Sequence, residues 1–166
     1  IEIEGPLSVE GPGDTPSRQQ IFSCQPASAD EEPACARQIL SSLARRAYRR
    51  AVDEDDVQGL MDFYNQGHVE GGFDTGVQFA LERLLVSPDF LFRIEQDPLD
   101  AEPGSMYSIT DTELASRLSF FLWSSLPDDE LLDLVEHRAL RNPGVLEAQV
   151  KRMMMDSRSS GFIENF

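Results

Sequence analysis

The run Cys35-Ala36-Arg37-Gln38-Ile39-Leu40-Ser41-Ser42-Leu43-Ala44-Arg45-Arg46-Ala47-Tyr48-Arg49-Arg50 decides the fold class. Cys35, Ile39, Leu40, Leu43, Ala47 and Tyr48 recur three and four residues apart, which places them on one face of an α-helix, while Arg37, Arg45, Arg46, Arg49 and Arg50 mostly fall elsewhere. The pattern continues downstream. Asp53 is placed to cap a second helix with Glu54-Asp55-Asp56 in its first turn, Val57, Leu60, Met61 and Tyr64 on its apolar face, and Gly67 as its expected stop. Phe73, Val77, Ala80, Leu81, Leu84 and Leu85 make a third face, and Ser87-Pro88 opens a further helix expected from Asp89 to Glu95.

Beyond a Pro- and Gly-containing spacer, Thr110 and Glu113 have the spacing of a capping box and open a strongly apolar helix through Leu114, Leu118, Phe121, Leu122 and Trp123. Pro127 with Asp128-Asp129-Glu130 starts the next helix, and Asn142-Pro143 another. The expectation is an all-α, irregular bundle of about seven or eight helices. Upstream, Ile1-Glu2-Ile3-Glu4 alternates like a strand and stops at Gly5-Pro6, so residues 1–6 read as a terminal strand of a preceding domain. Residues 7–33 read as an extended, poorly packed linker, 34–97 as a first helical domain, 98–109 as a second linker, and 110–166 as the start of a second helical domain. The chain opens on Ile1 rather than Met and closes within a helical pattern, which reads as a piece of a larger polypeptide.

The 166 residues carry a formal charge of −16 and are 40% hydrophobic, apolar enough for a folded core. Such an acidic balance disfavours nucleic acid and anionic lipid, both of which demand a clustered positive field. No stretch approaches the eighteen apolar residues of a membrane helix, so no direct membrane insertion is expected. The 14 basic residues are Arg with a single Lys, which reads as a coding bias more than Arg-specific recognition.

No residue is assigned a catalytic, cofactor-binding or metal-binding role. GxSxG, GxGxxG, P-loop, HExxH, EF-hand and CxxCH patterns are all missing from the sequence. Asp128, Asp129, Glu130, Asp133 and His137 could be offered as a metal cluster, but first-turn carboxylates and a last-turn His are also what the helix dipole favours. His68 reads as a solvated turn residue, and Phe90, Phe92, Phe120, Phe121 and Trp123 as core aromatics rather than a cofactor box. Arg45, Arg46, Arg49 and Arg50 at a helix C-terminus, followed within a turn by Asp53, Glu54, Asp55 and Asp56, read as a structural ion-pair cluster locking the first helix hairpin. Cys24 and Cys35 are too far apart for CxxC and lack a second pair for zinc, leaving a disulfide or two free thiols.

Three strings taken together, Leu43 to Arg50, Ala80 to Arg93 with its Leu-Leu-Val-Ser-Pro-Asp-Phe core, and Glu113 to Leu131 with Phe120-Phe121-Leu122-Trp123, resemble the large planctomycete-type multidomain proteins built from helical domains of unknown function. These often carry a planctomycete cytochrome c domain in the same polypeptide. The resemblance covers about residues 21–166, with the first two strings in one domain and the third opening the next. It implies a periplasmic, cell-envelope or secreted protein whose partners are other domains of the same polypeptide, with a β-rich domain just upstream that ends in the residue 1–6 strand, haem c possible elsewhere and no cofactor in this part. An oxidising compartment makes a Cys24–Cys35 disulfide the expected state, worth about 2–3 kcal/mol on the chain-entropy account. The expected role is that of a non-catalytic helical interaction or scaffold module; the alternative is part of an envelope haem-dependent oxidoreductase whose redox centre lies outside residues 1–166.

Overall fold

A computed structural model describes residues 13–93, 95, 102, 104–160 and 162. The expected strand at residues 1–6 lies outside them, as does much of the expected second linker. Seven α-helices are present, with no strand among the described residues: α1 (Pro16–Ile21), α2 (Glu32–Tyr48), α3 (Glu54–Leu85), α4 (Pro88–Leu91), α5 (Asp111–Trp123), α6 (Asp129–Glu136) and α7 (Pro143–Met155). Short 3₁₀ turns at Ala29–Glu31 and Ser157–Ser159 complete the chain.

Local chemistry sets most helix starts. The Asp53 side chain accepts from the Asp56 amide while Asp56 accepts from the Asp53 amide, a reciprocal box that satisfies two otherwise orphaned donors of α3. Thr110 and Glu113 do the same for α5. Asp128 caps α6 through the Leu131 amide.

Gly67 does not stop its helix. α3 runs on and breaks only at Gly71-Gly72, where Gly72 takes φ 79°, a left-handed conformation that favours glycine. Residues 73–85 then fold back against residues 54–70. Gly67 and Gly76 line the contact between the two arms: a Cβ at Gly76 would lie 2.7 Å from the Tyr64 ring, and one at Gly67 2.6 Å from the Thr75 carbonyl oxygen. These glycines serve close packing, not termination.

α2 packs along the α3 hairpin and forms a first core around Ile39, Leu40, Leu60, Tyr64, Val77 and Ala80. The expected extended linker is partly folded onto it. Thr15 caps α1, Arg18 reaches Asp74 at 2.5 Å, and Phe22 meets Phe73 at 6.1 Å between ring centroids. A disulfide joins Cys24 to Cys35 and fixes this N-terminal segment to α2. A second core, around Ala115, Leu122, Trp123, Leu131, Leu140 and Met153, is built by α5, α6 and α7, with the Trp123 indole N–H donating to the Met153 carbonyl at 2.9 Å.

Two expected features differ. α4 spans four residues instead of reaching Glu95. Of the aromatics expected in the core, Trp123 is buried, but Phe92 and Phe121 are 62% and 54% exposed. Phe92 lies just past the end of α4, and for Phe121 the reason lies in α5, which is apolar on two sides. Its buried stripe is Ala115, Ser119 and Leu122, and Phe121 falls on the flank beside it. No helix of the described residues is long and apolar enough to cross a membrane.

Candidate functional site

Three of the four arginines at the end of α2 form ion pairs, yet not in the expected arrangement. Arg45 and Arg46 do not turn to Asp53–Asp56. Arg45 reaches α6, its Nε 2.6 Å from Glu136, one terminal nitrogen 2.5 Å from Asp133 and the other 3.4 Å from Asp129. These carboxylates stand at positions i, i+4 and i+7 of one helix and so share a face. Arg46 grips Asp129 with two nitrogens, at 3.0 and 2.6 Å. The Arg46 hydrogen bonds hold the Asp129 carboxyl below its ordinary range, and the Glu136 hydrogen bond raises Arg45 despite partial burial. The two domains are thus joined by a charged clasp.

Of the expected cluster, only Arg50 and Asp56 meet, at 2.5 and 3.0 Å, with Asp89 at 3.5 Å from Arg50. Hydrogen bonds from Arg50 hold Asp56 below its usual range. Asp53 is the α3 cap, Glu54 pairs with Arg37 at 2.7 Å, and Asp55 stays exposed.

Arg49 is different again. It is only 6% exposed and takes φ 59°, ending α2 in a left-handed conformation normally given to glycine. Its two terminal nitrogens donate to the carbonyls of Ala47, Asp89, Phe90 and Phe92, at 3.2, 2.6, 3.3 and 2.7 Å. The guanidinium thereby ties the end of α2 to the chain leaving α4. Burial, and then the nearby Arg93 charge, pushes it down from its ordinary value.

A further cluster escaped the sequence reading. Asp128 accepts from Arg152 at 2.7 and 3.1 Å and from Arg158 at 3.3 Å, and the Arg158 carbon lies 3.5 Å from the Trp123 ring centroid. Burial pushes Asp128 up, but Arg152 and the Leu131 amide outweigh it and hold the carboxyl below its ordinary range. The signal available in the sequence was Asp128 as an N-cap with arginines 24 and 30 residues on.

The carboxylates weighed as a metal cluster are therefore committed to arginines, with Glu130 accepting from Gln149 at 2.6 Å and His137 Nδ1 beside the Asp133 carbonyl at 2.7 Å. Among the described residues no group of three or more His, Cys, Asp or Glu could hold a metal ion. His68 lies inside α3, its Nε2 2.6 Å from Glu32.

Between the end of α2, the chain after α4 and the first turns of α5 lies a small pocket of about 110 Å³. Tyr48, Arg49, Arg93, Thr112 and Ser116 are among its lining residues.

An all-α chain of two consecutive helical domains with an ionic junction is the class this structure defines. Comparison with known families identifies the domains: residues 35–95 match PSD5, a protein of unknown function (DUF1595), and residues 109–166 match PSD4, a protein of unknown function (DUF1592). The chain thus carries these two domains in consecutive order, which matches the resemblance to the planctomycete-type proteins. No curated protein and no solved structure matches it.

Proposed function

We propose that this chain is a helical scaffold module that holds neighbouring parts of a larger polypeptide in a set relative position. The observation supporting this is the clasp from α2 to α6, in which Arg45 alone engages three carboxylates of the other domain. A guanidinium presents a planar fork of donors, so it sets orientation as well as distance. The chemistry of the chain is correspondingly spent on internal pairing: the carboxylates a metal centre would use are engaged by arginines. A periplasmic, envelope or secreted setting is supported by the Cys24–Cys35 disulfide, since such bonds persist in oxidising compartments.

The test is a charge reversal of the clasp, Arg45→Glu with Arg46→Glu, in the full chain. Small-angle scattering is expected to give a larger radius of gyration at unchanged helical circular dichroism, with faster proteolysis between residues 93 and 110. A variant with the radius and cleavage rate of the parent would overturn the scaffold reading.

A further inference from the structure

The pocket between α2, α4 and α5 has a donor set that internal contacts leave unused. Tyr48 and Ser116 line it, and neither hydroxyl bonds to a described residue; both reach the cavity rather than being sealed in the core, where the unpartnered buried atoms are Tyr64 Oη and Asp111 Oδ2. Hydroxyls that open onto a cavity bond to whatever fills it, a ligand or water. Arg49 spends its two terminal nitrogens on four carbonyls, and its Nε–H has no acceptor among the described residues. Among the described residues no carboxylate is hydrogen-bonded to this buried cation.

The acidic lining residues are already engaged. Glu95 accepts from Arg117 at 2.9 and 2.5 Å, Glu113 accepts from the Thr110 amide at 2.6 Å, and Asp89 faces Arg50 at 3.5 Å. What remains open to the pocket is a set of donors: the hydroxyls of Tyr48, Thr112 and Ser116, and the guanidinium of Arg93, which lies 5.2 Å from the Phe120 ring. Thr112 also stands in the first turn of α5, a helix of 13 residues whose positive dipole end faces this side. The pocket volume of about 110 Å³ is several times the roughly 10–15 Å³ that one water requires on the same measure.

We propose that this pocket is a binding site for a small oxyanion, a carboxylate or phosphate group, held by the Tyr48 and Ser116 hydroxyls, Arg49 Nε and Arg93. The anion supplies acceptors to the unused donors and a counter-charge to Arg49. Because the lining comes from both domains, the bound anion also stiffens the junction. The site does not depend on the scaffold reading, since a pocket can bind its ligand whether or not the domains serve as a spacer.

The test uses the full chain titrated with sodium phosphate and, separately, sodium acetate, with sodium chloride balancing ionic strength. Binding is read from amide and arginine Nε–H shifts in ¹⁵N spectra and from the thermal midpoint. The expected result is saturation with shifts centred on residues 48–50, 93 and 112–116. Tyr48→Phe and Ser116→Ala together are expected to weaken binding about tenfold or more, as lost hydrogen bonds to a charged ligand do. Arg93→Gln, at an exposed position where folding is not at stake, is expected to weaken it as well. Tighter phosphate than acetate assigns a phosphoryl ligand, and the reverse assigns a carboxylate. Absence of saturation with both anions, equal effects of chloride, or binding unchanged in all three variants would overturn the site and leave the pocket to water.

Discussion

Replacing Gly76 by Ala and Gly59 by Ala makes the same chemical change twice in α3, and the structure predicts opposite outcomes. In a helix interior, Ala is favoured over Gly by about 0.8–1 kcal/mol because glycine loses more backbone entropy on folding. At Gly59 a new Cβ meets nothing within 4 Å, so Gly59→Ala is expected to stabilise the chain by about 0.5–1 kcal/mol. At Gly76 the Cβ would sit 2.7 Å from two Tyr64 ring carbons and 2.8 Å from the Tyr64 carbonyl oxygen. Those are separations real Cβ atoms essentially never show. Tyr64 is 2% exposed and packed against Phe73, so neither its ring nor its backbone can yield cheaply. Overpacking a rigid contact costs about 1–3 kcal/mol or more, and parting the two arms of α3 would uncover core surface too. Net of the propensity gain, Gly76→Ala is expected to destabilise by about 1–3 kcal/mol. Urea unfolding followed by circular dichroism measures both. A Gly76→Ala protein as stable as the parent would show that the arms of α3 do not meet through this glycine.

Three further outcomes follow. A double-mutant cycle with Arg45→Ala and Glu136→Ala should give a coupling of about 0.5–1 kcal/mol at low salt, near the top of the range for surface pairs because Arg45 is 20% and Glu136 31% exposed. It should shrink as the Debye length falls from about 10 Å at 0.1 M to about 3 Å at 1 M, and a salt-independent coupling would contradict an ionic clasp. Asp56, Asp128 and Asp129 have folded-state values below their ordinary 3.8, so their stabilisation is complete above that value and is lost as pH falls through the depressed ones. The urea midpoint should drop on acidification below about pH 4, less so in Asp129→Asn; equal acid sensitivity of that variant and the parent would count against the Arg46 pairing. Reducing Cys24–Cys35 with dithiothreitol should cost about 2–3 kcal/mol in urea unfolding, and an unchanged midpoint would show that α1 and Phe22 hold the N-terminal segment unaided.

Helix existence was legible because it is decided locally. The caps Asp53, Thr110 and Asp128 act within four residues of themselves, and the apolar period of α2 needs only its own face. What escaped was decided at a distance. Gly67 carries the signature of a helix end, yet it is glycine because Thr75 and Phe79 approach it from the returning arm. Arg45 and Arg46 stand close in sequence to Asp53–Asp56, but they meet residues 83 to 91 positions away, and a long flexible side chain is placed by the fold rather than by the chain. Phe121 misled for a related reason: a helix apolar on two sides does not say which side its neighbours cover. The junction pocket could not be foreseen at all. Its lining comes from three separated stretches, and Tyr48, Arg49 and Ser116 each look like ordinary helix residues when read singly.

The excess of Arg over Lys, which reads as a coding bias in the sequence, acquires a physical use in the fold. Arg46 on Asp129, Arg50 on Asp56, Arg117 on Glu95 and Arg152 on Asp128 all bond through two nitrogens, and Arg45 spreads three nitrogens over three carboxylates. Lysine offers a point charge and could hold any one of these oxygens, but not the pair in a set orientation. The same residue also resolves a difficulty created by the net charge of −16. A strongly acidic chain repels itself, and packing α2 against α6 brings carboxylates together that would otherwise part. Few cations are available, so one that engages several acids at once, as Arg45 does, is worth most where helices meet. Placing multidentate arginines where the domains meet meets that need, and among the described residues it leaves Arg49 as a buried cation bonded to carbonyls and not to a carboxylate. That residue lines the junction pocket, which is why an external anion is expected there and not at the better-paired arginines around it.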